Sequence, residues 1–168
     1  KGDPRFKYTI DDVDSFVTNK GASYTPGYQN TGYFIQKWAP LEKWRAASGT
    51  TELNFPTDMI EIRLADTYLM EAEAFVRAGK NPTRAKDLLD AVRMRVGLAS
   101  VPATLDNIYN ERRLELATEG HRWDDLVRTG QAATALAFKG FVKNKNEYLP
   151  LPLSSLNNTK LVQDPAYQ

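Results

Sequence analysis

The sequence predicts a mainly α fold, with helix pairs in the middle and long loop-rich segments carrying a few short strands at both ends. Three observations carry this reading. Ile62, Ala65, Leu69, Ala72 and Val76 step by 3, 4, 3 and 4, which puts them on one face of a helix. Gly79, Asn81 and Pro82 then stand where one helix should stop and the next begin. Finally, Pro4, Gly21, Pro26, Gly27, Gly32, Pro40, Gly49 and Pro56 interrupt the first third, and Pro150, Pro152 and Pro165 the last.

Taken in order, residues 1–57 read as a loop-rich lead-in whose best strand is Tyr33-Phe34-Ile35-Gln36-Lys37-Trp38. Residues 58–130 read as the helical core. Its first helix carries the stripe above, with Leu64, Tyr68 and Phe75 beside it, so it should be buried on two sides. Gly79 supplies the left-handed C-terminal cap. Asn81 caps the next helix, with Pro82 at the first position where a missing N–H costs nothing. Ala85, Leu88, Leu89, Val92 and Val96 form its inner face. The link is short enough to force an antiparallel pair, which resembles a tetratricopeptide unit. A third helix begins at Thr104 or Asp106, turns Leu105, Ile108, Tyr109 and Leu116 inward, and ends at Gly120. A short fourth runs from Arg122 to Thr129. Gln131 to Phe138 extends as a weak alanine-rich helix, and residues 131–168 otherwise read as an extended C-terminal segment.

Composition excludes several function classes. The net charge of +1 is spread over 22 basic and 21 acidic residues, which gives no footprint for nucleic acid. No apolar run approaches the roughly 20 residues of a membrane span. Cysteine is absent, so thiolate metal sites and cysteine nucleophiles are excluded, and one histidine rules out a multi-histidine metal site. No cofactor or metal is expected. The chain opens Lys1-Gly2-Asp3-Pro4-Arg5-Phe6 without a signal peptide and reads as a fragment, or a processed C-terminal piece, forming one domain over 1–168.

The most charged stretch is Asn110 to Gly130, where Glu, Asp, Arg and His interleave with Leu114, Leu116, Ala117, Trp123, Leu126 and Val127. A solvated charge run would not place apolar residues at helical spacing. Glu111, Glu115 and Glu119 sit four apart and should share one stripe of the third helix, repelling unless cations intervene. Arg112, Arg113, Arg122 and Arg128 are the cations at hand. Arg112 falls within the apolar face and needs a carboxylate partner there. A glycosidase would take two such carboxylates from separate elements lining a cleft, not from one arginine-crowded stripe. Arginines also hold carboxylates ionised, which leaves no obvious general acid. The stretch therefore reads as a structural ion network of Glu111, Arg112, Arg113, Glu115, Glu119, His121, Arg122, Asp125 and Arg128. His121 reads as a hydrogen-bonding corner between two helices, and Asp124 and Asp125 as acids suited to a helix start.

These residues carry a family resemblance. Glu111-Arg112-Arg113, Glu115-Leu116, Glu119-Gly120-His121-Arg122, Asp125-Leu126 and Arg128 resemble the signature of SusD/RagB-type outer-membrane nutrient-binding proteins. Asp3-Pro4-Arg5, Gly32 to Trp38, Ile62 to Ala74, Val92 to Leu98 and Leu149 to Pro152 with Gln163 to Tyr167 agree in order, with Ala166 where the family usually has Gly. The match covers nearly the whole chain but only the C-terminal third or so of a family member. The resemblance implies a non-enzymatic protein of tetratricopeptide-like helix pairs, held at the outer membrane of a Bacteroidetes-type bacterium by a lipid anchor outside this chain. It implies capture of a glycan, or sometimes a peptide, for a SusC-like TonB-dependent transporter. The alternative is a helical-repeat module that binds a peptide or partner protein.

Sugar capture needs flat aromatic faces and hydrogen-bonding groups. Tyr33, Phe34 and Trp38 are expected to pin the lead-in onto the helices. Tyr24, Tyr28 and Trp44, set among Gly, Pro, Lys and Arg, are expected to be exposed and are the candidate ligand contacts.

Overall fold

The computed structural model describes residues 2–50 and 54–168, so the loop expected at 51–53 lies outside the described residues. The chain divides into two compact units, Lys1–Gly120 and His121–Gln168. The boundary falls inside the charged stretch that the sequence reading treats as one motif of one domain.

The first unit is built on three helices, α3 (Leu64–Ala78), α4 (Pro82–Arg95) and α5 (Leu105–Glu115). Gly79, at φ 62°, ends α3 in the left-handed conformation that glycine adopts without steric cost. Two residues later Asn81 accepts a hydrogen bond from the Arg84 amide and starts α4 with Pro82 in its first turn. Thr104 does the same for α5 through the Asn107 amide. Leu69, Ala72, Leu88, Leu89, Val92 and Ile108 meet as the core, with Ala65, Tyr68, Phe75, Val76, Val101 and Ala103 packed around them. Each fully buried leucine contributes about 1.5–3 kcal/mol of transfer free energy, so this cluster fixes the mutual position of the three helices.

The first helix starts later than the stripe suggests. Ile62 lies outside it and is exposed, because the extended Arg63 precedes the first helical turn. Leu64, in that first turn, is also exposed. The lead-in holds helices the punctuation concealed. These are α1 (Phe6–Thr9) and the seven-residue α2 (Val13–Asn19), which Asp12 caps through the Ser15 amide. Pro and Gly flank α2 without entering it, so their clustering marks its ends. Between α1 and α2, β1 (Ile10–Asp12) pairs antiparallel with β2 (Tyr33–Ile35), with Asp11 opposite Phe34. Among the described residues the strands lie in the lead-in alone.

In the second unit α6 (Arg122–Arg128) is followed by α7 (Ala132–Ala135), a 3-10 turn at Ala137–Lys139 and α8 (Leu153–Leu156). The tail closes in a second 3-10 turn, Pro165–Tyr167, capped by Asp164. Short turns thus replace the strands expected at this end. Prolines at 152 and 165 suit the start of such turns, where no N–H is needed. Among the described residues no helix is long and apolar enough to cross a membrane.

Candidate functional site

Glu111 and Glu115 lie one turn apart on the buried side of α5, and each meets arginines from other parts of the first unit. Glu111 is fully buried, and its two oxygens accept from Arg5 and Arg93, both at 2.6 Å. Glu115 accepts from Arg5 at 2.8 Å, Arg63 at 2.7 Å and Arg95 at 2.7 Å. Arg5 is itself held from behind by Asp3, which takes its Nε at 2.9 Å and Nη2 at 2.6 Å.

Glu119 reaches the same cluster by a different route from the one its spacing suggests. α5 stops at Glu115, and a turn with Thr118 at φ 71° and Gly120 at φ 89° carries Glu119 past the helix end. There its carboxylate accepts the Arg63 fork, Nε and Nη2 both at 2.7 Å, and the Lys37 ammonium. The same cations serve the helix terminus. The Glu115 carbonyl, orphaned by the end of α5, accepts from Arg63 at 2.7 Å and Lys37 at 3.4 Å. Trp38 adds a neutral bond, its indole N–H donating to the Thr118 carbonyl at 2.9 Å. Lead-in, α3, α4 and α5 are thereby tied at one place.

The electrostatics follow from this geometry. Burial pushes the Glu115 carboxyl up, but hydrogen bonds from Arg5 and Arg63 and the neighbouring Arg95 charge outweigh it and hold it below its usual value. Burial opposes the same outcome at Glu119, where Arg63 and Lys37 prevail. Arg5 loses hydration, yet its hydrogen bonds to Asp3, Glu115 and Glu111 raise its pKa further. Asp3 is lowered, chiefly by its hydrogen bond from Arg5. A general acid requires a raised carboxyl pKa, so neither Glu115 nor Glu119 is poised to give up a proton.

The structure places the other motif residues elsewhere. Arg112 donates to Asp66 Oδ1 at 2.7 Å, both side chains being buried, which ties α5 to the first turn of α3. Arg113 points away and is exposed. The remaining four belong to the second unit. There Asp125 accepts from Arg128 within α6 at 2.7 Å, and Arg122 is exposed. His121 forms the corner through its backbone, its carbonyl accepting the Asp125 amide at 3.0 Å. Its Nε2 is buried and has no hydrogen-bond partner among the described residues, unlike the bonded corner the sequence suggests.

The counter-charges Asp3, Arg5, Lys37, Arg63, Arg93 and Arg95 are absent from the nine-residue network read from sequence. The signal was present, since all six lie inside the blocks that carry the family resemblance. A cleft of about 730 Å³ opens beside them, lined by Arg5, Tyr8, Lys37, Ile60, Arg63 and Arg95 among others.

The aromatics also depart from expectation. Tyr33 and Phe34 are 43% and 51% exposed, because the ribbon is held by backbone pairing and by edge-on rings that leave their outer faces open. Phe6 meets Tyr33 at 6.2 Å and Tyr24 meets Phe34 at 6.3 Å. Tyr24 is partly buried, its hydroxyl donating to Asp14 and accepting from Asn30, each at 3.0 Å. Tyr28 is 95% and Trp44 57% exposed, with the Lys43 ammonium over the Trp44 ring.

The sequence profile of the SusD family matches residues 3–167. The chain belongs to the SusD family. Among solved structures, a laminarin-binding SusD-like protein is 53% identical and superposes with a TM-score of 0.89 over 98% of this chain and 35% of its own. Surface glycan-binding protein A from Bacteroides thetaiotaomicron, in complex with laminarihexaose, is 32% identical with a TM-score of 0.86, over 97% and 38%. SusD-like protein P38 of Formosa agariphila is 34% identical over 126 residues, 66% of this chain and 25% of its own. The chain thus spans about a quarter to two-fifths of the length of these SusD relatives.

Proposed function

We propose that this SusD-family chain serves non-enzymatic capture of a glycan of the laminarin type. The observation that carries the reading is its 53% identity, over 98% of the chain, to a protein named for binding laminarin. The charge cluster supports the non-enzymatic part, because carboxylates held ionised by arginines supply no proton donor. Family membership supports delivery to a SusC-like TonB-dependent transporter, with the protein held at the outer surface of the outer membrane by a lipid anchor outside these residues.

The contacts proposed for the sugar are Tyr28 and the face of Trp44 that Lys43 leaves open, both suited to the C–H surfaces of a pyranose. Tyr24, half-buried with its hydroxyl bonded to Asp14 and Asn30, is the third proposed contact. Isothermal titration of the intact protein with laminarihexaose tests this reading. Tyr28→Ala and Trp44→Ala should each weaken binding by roughly 2- to 10-fold with an unchanged melting temperature. Parent-like affinity in both variants would move the site away from these loops.

A further inference from the structure

The second unit contains an aromatic cleft that the cluster and loops of the first unit do not account for. It has a volume of about 460 Å³ and is lined by Trp123, Phe141, Asn146, Tyr148 and Tyr167 together with Lys139, Gly140 and two leucines, Leu136 and Leu149. Its volume falls in the range of small-ligand sites, roughly 300–1,000 Å³. We propose that it is a second carbohydrate contact, taking one or two residues of a neutral glycan by ring stacking.

Three features argue for this occupant. Three of the rings, Tyr167, Trp123 and Phe141, are held before any ligand arrives. The Tyr167 hydroxyl shares its one proton between the backbone carbonyls of Lys145 at 3.0 Å and Tyr148 at 2.8 Å, and Trp123 packs on Phe141 at 5.9 Å. Ordering aromatic side chains in advance removes part of the entropy cost of binding. Two of the rings also stay open, Tyr148 at 62% and Trp123 at 43% exposure, so flat faces are available at the mouth. Last, Lys139 is the only charged side chain lining the cleft among the described residues, and its ammonium lies over the Phe138 ring. A cationic ligand would find no carboxylate counter-charge in that lining. A neutral sugar needs none, and the Asn146 amide, whose oxygen takes the Val142 N–H at 2.6 Å, keeps its N–H donors for a hydroxyl.

The proposal rests on the glycan-capture reading for its ligand class, and the test separates the two. Tyr148 is the residue to change, since its exposed ring supports no core packing. Titration of the intact protein with laminarin should show Tyr148→Ala weakened by about 3- to 10-fold, with Tyr148→Phe near the parent and both melting as the parent does. Parent-like laminarin binding by Tyr148→Ala, beside a loss in Trp44→Ala, would overturn the second contact and leave glycan capture standing. Laminarin bound by none of these proteins would overturn both. Equal losses in Tyr148→Ala and Tyr148→Phe would also overturn stacking, because the hydroxyl and not the ring face would then hold the ligand.

Discussion

At the scale of single residues, Glu115 shows how a carboxylate is kept buried and charged at once. Its side chain is 1% exposed, a position that costs an unpaired carboxylate several kcal/mol. Three arginines from the lead-in, the start of α3 and the end of α4 remove that cost, and the same contacts depress its pKa. Glu115→Ala should lower stability by up to about 3–5 kcal/mol, since Arg5 and Arg63 each lose one of their buried acceptors. Arg112→Leu should act similarly by stranding Asp66. Thermal unfolding of both variants checks this, and parent-like melting in both would mean that the pairs contribute little. The depressed pKa values of Glu115 and Glu119 also set a pH dependence. A group whose folded pKa lies below its unfolded value stabilises the fold above the unfolded value and loses that contribution as pH falls through the folded one. Stability should therefore hold above pH 4.5, the ordinary glutamate value, and decline steadily below it. Glu115→Gln should flatten that decline in acid titrations followed by circular dichroism.

Secondary elements show which signals a sequence displays openly. The α3–α4 pair was legible because periodicity and punctuation agree: the buried residues recur at helical spacing, and Gly79, Asn81 and Pro82 each do what their backbone chemistry allows. Asn81 sits at φ 43°, a left-handed position, and also caps α4. Asn81→Ala should cost about 1–2 kcal/mol through loss of the cap and added strain, and Asn81→Gly only a few tenths. Chemical denaturation of the two variants resolves that order. α2 was not legible, because its seven residues are too few for an apolar stripe and lie among turn residues. The end of α5 was misplaced for a related reason. Glu119 continues the four-residue spacing, yet Thr118 at positive φ has already left the helix. Spacing cannot distinguish a carboxylate on a helix from one returned by a turn.

For the molecule as a whole, the charge cluster joins parts of the first unit that are far apart in sequence. Arg5 meets Glu111 across 106 positions, and Trp38 meets the Thr118 carbonyl across 80. Local patterns identify the charges but not their pairing, because the arginines that matter lie on other elements. This is why the sequence suggested the exposed Arg113 as a network member but not Arg5, Arg63, Arg93 and Arg95, which Glu111 and Glu115 take. The family was readable from the same residues, since the Glu111–Arg128 signature holds the acids and the blocks before it hold their cations. The ligand was far less readable. An exposed aromatic on a loop has no periodicity, so Tyr28 and Trp44 could be named only by composition.

Under the proposed function, the protein holds a glycan and leaves its bonds intact. Incubating the intact protein with fluorescently labelled laminarihexaose and then sizing the recovered sugar tests it most directly. The expected result is saturable retention, with every recovered molecule at its original length and Glu111→Gln unchanged in that respect. Shorter products that disappear in Glu111→Gln would contradict it, as would a failure to retain the sugar at all.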